Sequence, residues 1–465
     1  MFLRRKRQAV SIGAALIALC AALGGCDGSS GPAALRADNL LFISLDTTRA
    51  DRLQPYGYAE PTTPNLAALA ARGVVFEHAY SHVPSTLPAH SSMMTGLLPP
   101  VHGVRCNGKF KLSGRHHTLA EIARGAGFAT GAIAGAFPIA ARFGLDQGFD
   151  VYDDDFASSA VTARRKRGQM DTAGFWIGHD YLDFERGADE VSDRAIAWMQ
   201  EASRDGKRWF LFAHYFDPHW PYEPAPDFRE RFESPYDAEI AYTDREVGRL
   251  LDAAAALPGR TLVVLTADHG EGLGDHGELL HNRYLYDSTL KVPLIVALEG
   301  VAGAGSRVDT PVGHVDLMPT ALELLGLDPP PVELQGRSLS GLLAGDKGKG
   351  VIAARPVYAE TLVWSLERPL GIDVRALIDG RTKFIRTRVT PTAEQPMEAL
   401  IAELYDLESD PGERVDRSRF ESAQIDGLDL QLEELQRRLD ELAAAPERLE
   451  LDEGARERLK SLGYL

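Results

Sequence analysis

Two apolar runs in this chain end on acidic residues. Asn39–Leu45 reads NLLFISL and is followed by Asp46. Thr261–Thr266 reads TLVVLT and is followed, after one Ala, by Asp268-His269-Gly270. A carboxylate at the end of a buried run calls for a cationic partner, because an unpaired buried charge is strongly unfavourable. Asp, Asp and His form a ligand set for one divalent cation, the imidazole admitting Zn or Mn and the carboxylates Mg, Mn or Ca. A third stretch, VPSTLPAHSSMMTG from Val83 to Gly96, places the hydroxyl of Thr86 where a loop tips into a helix, with Pro88 in the first turn. Free amides at a helix start favour an oxyanion. Thr86 is therefore a candidate nucleophile, and a cation shared with Asp46, Asp268 and His269 would lower its hydroxyl pKa and polarise a substrate oxygen. Each signal also has an ordinary reading. Thr86 alone is a helix N-cap, Asp46 a turn or capping residue, and a lone Asp-His-Gly is weak evidence. Their combination is what points to catalysis.

Such groups need buried strands to aim them. The near-continuous apolar runs 39–45, 209–213 and 261–266 read as central strands covered on both faces, the pattern of a parallel sheet in an α/β fold. In open α/β sheets ligands bind outside the C-terminal strand ends, so carboxylates at two such ends can converge. Between the strands, helical spacing predicts helices over 65–71, 118–124, 191–202 and 238–256, with short strands at 74–76 and 129–134. After the second run comes His214-Tyr-Phe-Asp-Pro-His-Trp-Pro-Tyr222, dense in aromatic and metal-capable side chains. The polar stretch 153–178, with Arg164, Arg165, Lys166 and Arg167 in a row, reads as an exposed insertion. Beyond Pro329-Pro-Pro331 the segments 357–360, 375–378 and 383–386 read as strands of a small second sheet. The Leu- and Glu-rich helix 424–443 is expected to lay its apolar stripe on that sheet's own domain, and 456–465 reads as a terminal helix and tail.

At 465 residues, with 44% hydrophobic and 25% charged residues, the chain suits a large globular domain with a smaller appendage. The N-terminus differs. Arg4, Arg5, Lys6 and Arg7 precede an apolar run, 9–23, which is short for a membrane span and right for a signal peptide. It closes on Leu23-Gly24-Gly25-Cys26, which resembles the bacterial lipoprotein cleavage motif. An uncleaved N-terminal anchor is the other reading. The expected division is a lipoprotein signal peptide at 1–26, a tether at 27–38, a catalytic domain at 39–330 and a C-terminal subdomain at 331–465. The protein is then exported and anchored to the cell envelope through lipidated Cys26, facing the periplasm, with Asp27 favouring the inner membrane. Removal of the leader and its four basic residues takes the net charge from −17 to −21, which argues against nucleic acid as a partner. With Cys20 removed and Cys26 lipidated, Cys106 stands alone and no intrachain disulfide forms.

The blocks FISLDTTRADRLQPYGY, STLPAHSSMMTGLLPPVHGV, TLAEIARGAGFATGA, HYFDPHWPY, TADHGEGLGDHGE, LYDSTLKVPLIV and ELYDLESDPGE, in this order across 39–415, together resemble the sulfatase family of the alkaline phosphatase superfamily. The resemblance implies a large mixed, mostly parallel sheet sandwiched by helices, with a smaller C-terminal α+β subdomain. It implies Asp46, Thr86, Asp268 and His269 as ligands of one divalent ion, Thr86 as nucleophile, His219 facing the ester oxygens, and His281 near the family's leaving-group lysine. The chain also departs from the family. Thr86 stands where sulfatases carry the Cys or Ser that becomes formylglycine, His90 replaces the signature Arg, Thr47 replaces an acidic ligand, and the Gly-Lys-Trp-His block has no counterpart.

Formylglycine releases sulfate by elimination from a hemiacetal, an exit a Thr sulfate ester lacks. A phosphorylated Thr can be hydrolysed or passed to an alcohol. The expectation is a metal-dependent hydrolase of sulfuric or phosphoric esters, with phosphate esters, diesters or phosphonates favoured. The alternatives are a phosphoglycerol- or phosphoethanolamine-type transferase and an inactive lipoprotein scaffold. His219 is the first candidate general acid and His281 the second. Arg105 and Asn107 are candidates for the charge stabilisation that the missing Arg and Lys would supply.

Overall fold

The computed structural model describes residues 35–156, 185–301, 303–347, 355–366, 370–392, 397–443 and 445–461. The expected leader, Cys26, most of the tether and the Arg164–Arg167 run lie outside the described residues. In chain order the strands are β1 (Asn39–Leu45), β2 (Val74–Phe76), β3 (Ala79–Tyr80), β4 (Ala129–Ile133), β5 (Val151–Asp153), β6 (Trp209–Tyr215) and β7 (Thr261–Ala267). They continue with β8 (Lys291–Val292), β9 (Leu294–Ala297), β10 (Arg307–Val308) and β11 (Val312–Gly313), then β12 (Val357–Thr361), β13 (Ile372–Asp379), β14 (Thr382–Val389) and β15 (Ala399–Asp406).

Eight of these form one sheet in the order β10-β2-β9-β7-β1-β6-β4-β5. Every pairing in it is parallel except those of β9, which runs against both β7 and β2. The sheet is therefore mixed and mostly parallel, as expected. β1 and β6 are buried at every position, which accounts for their unbroken apolar sequences. Helices Ala188–Arg204 and Pro235–Ala255 pack on each other, the first also against β4 and β6, and helix Pro64–Arg72 joins them. Helix Thr86–Thr95 packs against helices Leu119–Gly125 and Leu317–Leu325, the latter in contact with β1. Gly131 on β4 lets helix Ala188–Arg204 approach: a Cβ there would lie 2.3 Å from the ring of Trp198.

The second sheet, β12-β13-β14-β15, is antiparallel throughout. One face packs Ala359, Ala376 and Ile378 against Tyr80, Leu285 and Leu290 of the preceding chain. The other packs Tyr358, Leu377, Phe384 and Leu404 against Leu428, Leu432 and Leu439 of helix Ser422–Leu442, with Leu97, Leu98 and Val101 in the same cluster. That helix therefore covers its own sheet, as its stripe predicts. Residues 36–465 form one compact unit. β15 went unread because ALIAELYD is rich in helix formers, and its eight-pair ladder with β14 overrides that preference. Among the described residues no helix is long and apolar enough to cross a membrane.

Candidate active site

Strand register builds the site. Leu45 of β1 pairs with Ala267 of β7, so the residues that follow, Asp46 and Asp268, leave neighbouring strand ends side by side. The other neighbour of β1, β6, pairs His214 with Ser44. Side chains alternate along a strand, so Ser44 and Asp46 share a face. On it Ser44 Oγ lies 2.8 Å from His90 Nε2 on helix Thr86–Thr95. Asp46, Asp268 and His269 are buried, each offering one ligand atom within 4.8 Å of the others.

Hydrogen bonds decide which atoms those are. Asp268 Oδ1 accepts from Thr47 N at 3.2 Å and from His269 N at 2.8 Å, which leaves Oδ2. Asp46 Oδ2 lies 3.2 Å from His214 Nε2, which leaves Oδ1. His269 Nδ1 donates to the Gly270 carbonyl at 2.9 Å, so its lone pair is on Nε2. Asp46 Oδ1, Asp268 Oδ2 and His269 Nε2 are all buried without a hydrogen-bond partner, Nε2 being 4.0 Å from the first and 3.5 Å from the second. Buried polar atoms are rarely left so. Three of them facing one point, two carboxylate oxygens and an imidazole nitrogen, fit a divalent cation. The electrostatics agree. Burial pushes the Asp46 carboxyl up to about 7, and burial together with the Asp46 charge raises Asp268. His269 is raised as well, the lowering effect of burial being outweighed by the two carboxylates. Without a cation these groups share too few positive charges.

Thr47, which follows Asp46, is tied into the surrounding backbone. Its hydroxyl donates to the Pro218 carbonyl at 3.0 Å, and its backbone sits at φ 49°. A β-branched residue in that region is strained. It is held there by its N–H on Asp268 and by Tyr236 Oη, which donates 2.7 Å to its carbonyl.

Thr86 is the first residue of helix Thr86–Thr95 and is buried; Ser85, not Thr86, is the N-cap. The amides at the helix start are less available than the sequence suggests. Leu87 N donates to Asn107 Oδ1 at 2.8 Å, and Pro88 has no N–H. Asn107 Nδ2, buried with no partner, is the donor at this spot. Arg105 instead pairs with buried Glu360 of β12 through Nε and Nη2, which ties it to the second sheet. Cys106 is buried beside them.

Beside His269 stands a row of imidazoles. His281 has its ring centroid 4.4 Å from that of His269, and His219 lies 5.2 Å from His281, stacked on Phe216 at 4.3 Å. His219 Nδ1 donates to the Trp220 carbonyl at 2.6 Å, so Nδ1 carries a hydrogen. His281 Nδ1 meets Glu271 Oε1 at 3.1 Å, and Tyr222 Oη donates to Glu271 Oε2 at 3.2 Å. Burial pushes the Glu271 carboxyl up to about 8 and lowers His281 well below its ordinary value. Sequence reading missed Glu271, although it stands two residues after His269. It placed His214 in a stretch dense in aromatic and metal-capable side chains and gave it no role of its own.

A mostly parallel sheet that brings two carboxylates and an imidazole together at adjacent strand ends, with a buried threonine opening helix Thr86–Thr95, is the frame of a hydrolase of sulfuric or phosphoric esters. The chain belongs to the sulfatase family, whose profile matches residues 38–327. The profile for the N-sulphoglucosamine sulphohydrolase C-terminal region matches residues 274–444. The chain is similar to the uncharacterized sulfatase YidJ of Escherichia coli, at 24% identity over 83% of this chain and 84% of that protein. It is 26% identical to the choline-sulfatase of Rhizobium meliloti, over 80% of this chain and 81% of that one. Among solved structures, the phosphonate monoester hydrolase of Agrobacterium radiobacter shares the fold with a TM-score of 0.70 at 21% identity, covering 87% of this chain and 96% of that one. A protein solved with D-glucosamine-2-N,6-O-disulfate shares it with a TM-score of 0.67 at 20% identity, over 87% of this chain and 98% of that one.

Proposed function

We propose that this protein is a metal-dependent hydrolase of phosphate esters, diesters or phosphonates that uses Thr86 as its nucleophile. The observation that carries the reading is the set of three buried, unpartnered atoms, Asp46 Oδ1, Asp268 Oδ2 and His269 Nε2, at the strand ends. These residues would hold the ion together with Thr86. Bound there, a divalent cation supplies Lewis acidity, favouring the ionised Thr86 hydroxyl and offsetting charge on the substrate. Thr86 Oγ1 attacks phosphorus and the ester bond to the leaving alcohol breaks, while His219 Nε2, in its protonated form, delivers a proton to the departing oxygen. Water then cleaves the phospho-threonine, with the same imidazole taking its proton. Asn107 Nδ2 donates to the charge that develops on the non-bridging oxygens.

The preference for phosphorus rests on Thr86. A Thr side chain cannot form the hemiacetal through which formylglycine expels sulfate, whereas a phosphorylated Thr is cleaved by water. Likeness to a phosphonate monoester hydrolase supports the same preference, and likeness to a choline-sulfatase supports ester hydrolysis in general. We further propose that the enzyme works outside the cytoplasm, anchored through Cys26.

The test is turnover of chromogenic sulfate, phosphate, phosphodiester and phosphonate esters by the full-length protein, with Mn, Ca, Zn or Mg added separately and Thr86→Ala in parallel. Metal-dependent turnover of phosphodiesters or phosphonates that vanishes in the variant is expected. Dominant sulfate-ester turnover would overturn the substrate preference. Neither turnover nor metal binding would leave a scaffold.

A further inference from the structure

A carboxylate ligand holds an ion well only if it cannot rotate. Asp46 offers Oδ1 toward the proposed ion, and the orientation of its carboxylate is set by whatever grips Oδ2. Resting on the metal-enzyme reading above, we propose that His214 is a positioning residue for the ion. A backbone amide fixes it as the Nε2–H tautomer, and it donates to Asp46 Oδ2 so that only Oδ1 faces the metal.

The tautomer follows from the partners. Gly135 N–H donates to His214 Nδ1 at 3.3 Å, so that nitrogen carries the lone pair and the ring hydrogen sits on Nε2. Nε2 is 3.2 Å from Asp46 Oδ2, and both side chains are fully buried. Gly135 is required for this approach, since a Cβ there would stand 2.5 Å from the His214 carbonyl oxygen and 3.0 Å from Nδ1. β6 supplies the rest, because pairing with β1 sets His214 beside Ser44, level with the approach to Asp46.

The same bookkeeping of hydrogens sets the number of ions. His90, His214 and Asp268 also place ligand-type atoms within 4.8 Å of one another, which by spacing alone would suit a second cation. His90 Nδ1 lies 2.7 Å from the Thr86 carbonyl, which can only accept, so Nδ1 carries a hydrogen and Nε2 accepts from Ser44. Neither imidazole turns a lone pair toward Asp268. The cluster supports one ion by orientation and does not bind another. His90 at the same time ties the Thr86 turn to β1.

Full-length protein and its variants are stripped with chelator and titrated with Mn²⁺, free ion being read by electron paramagnetic resonance; Zn²⁺ is titrated separately against a chromogenic chelator. Wild type is expected to bind one equivalent. His214→Phe, which keeps an aromatic ring among Phe212 and Phe216, is expected to bind about 10- to 100-fold more weakly, the usual cost of losing such a supporting contact. His214→Gln, whose amide N–H can reach Oδ2, is expected to stay within about threefold of wild type, and Gly135→Ala to weaken binding as Phe does. Metal-free melting temperatures of all variants exclude misfolding as the cause. Equal affinity in His214→Phe overturns the proposal, as does failure of Gln to restore binding. Two equivalents in wild type and one in His214→Phe would make His214 a ligand of a second ion and also overturn it. No binding by wild type would instead remove the metal-enzyme reading beneath it.

Discussion

Thr86 carries a single hydroxyl on a β-branched carbon, too weak a nucleophile without help, and everything proposed for the site depends on its activation. Thr86→Ala should lower kcat/KM by about 10⁴-fold or more, measured in steady state with saturating metal, while the metal-free protein melts as wild type does. Asn107→Ala should cost about 10²-fold in kcat with little change in KM, because Nδ2 has no partner in the resting protein and its donor is used when charge builds on the substrate. Equal losses in Thr86→Ala and Asn107→Ala would argue that Asn107 holds the helix start through Leu87 N instead. The candidate ligands were legible because Asp46 and Asp268 interrupt apolar runs. His90, His214 and Glu271 were not, since what they do depends on partners that come from other strands and helices.

At the level of elements, the site is held by a short segment that the second sheet grips. His82, before helix Thr86–Thr95, donates from Nδ1 to the Tyr358 carbonyl on β12 at 2.6 Å and accepts at Nε2 from Val315 N at 3.3 Å. Burial pushes its pKa down to about 4, the Tyr358 contact only partly opposing this and Arg355 adding to it. A histidine depressed on folding binds its proton more readily in the unfolded chain. Its contribution is therefore intact above pH 6.5 and lost as pH falls toward 4, about 3 kcal/mol in all. His82→Asn should lose less stability than wild type between pH 7 and 4, checked by melting temperature across that range. Gly131→Ala tests the opposite flank of the sheet. A methyl against the Trp198 ring should destabilise the fold by about 1–3 kcal/mol and leave metal binding unchanged, as denaturant unfolding and Mn²⁺ titration would show.

At the scale of the whole molecule, the proposed N-terminal leader and the net charge of −17 make a claim about place. Cys26→Ser should move the protein from the membrane fraction to the soluble fraction of its native cell and abolish incorporation of labelled fatty acid; persistence in the membrane would favour an uncleaved anchor. The amino-acid sequence by itself determined the α/β class, the runs that become β1, β6 and β7, the acidic residues that follow β1 and β7, and the hydroxyl at a helix start. Apolar periodicity and a charge that needs a partner are local properties, readable in one dimension. Only the tertiary structure decided that Leu45 pairs with Ala267, that Asp46 and Asp268 each keep one oxygen unpartnered, and that Gly135 N–H meets His214 Nδ1. Register and hydrogen-bond direction are relations between segments tens to hundreds of residues apart. They exist only once the chain has closed on itself, and in this protein they separate the unpartnered buried atoms Asp46 Oδ1, Asp268 Oδ2 and His269 Nε2 from the atoms whose hydrogen bonds hold these side chains in place.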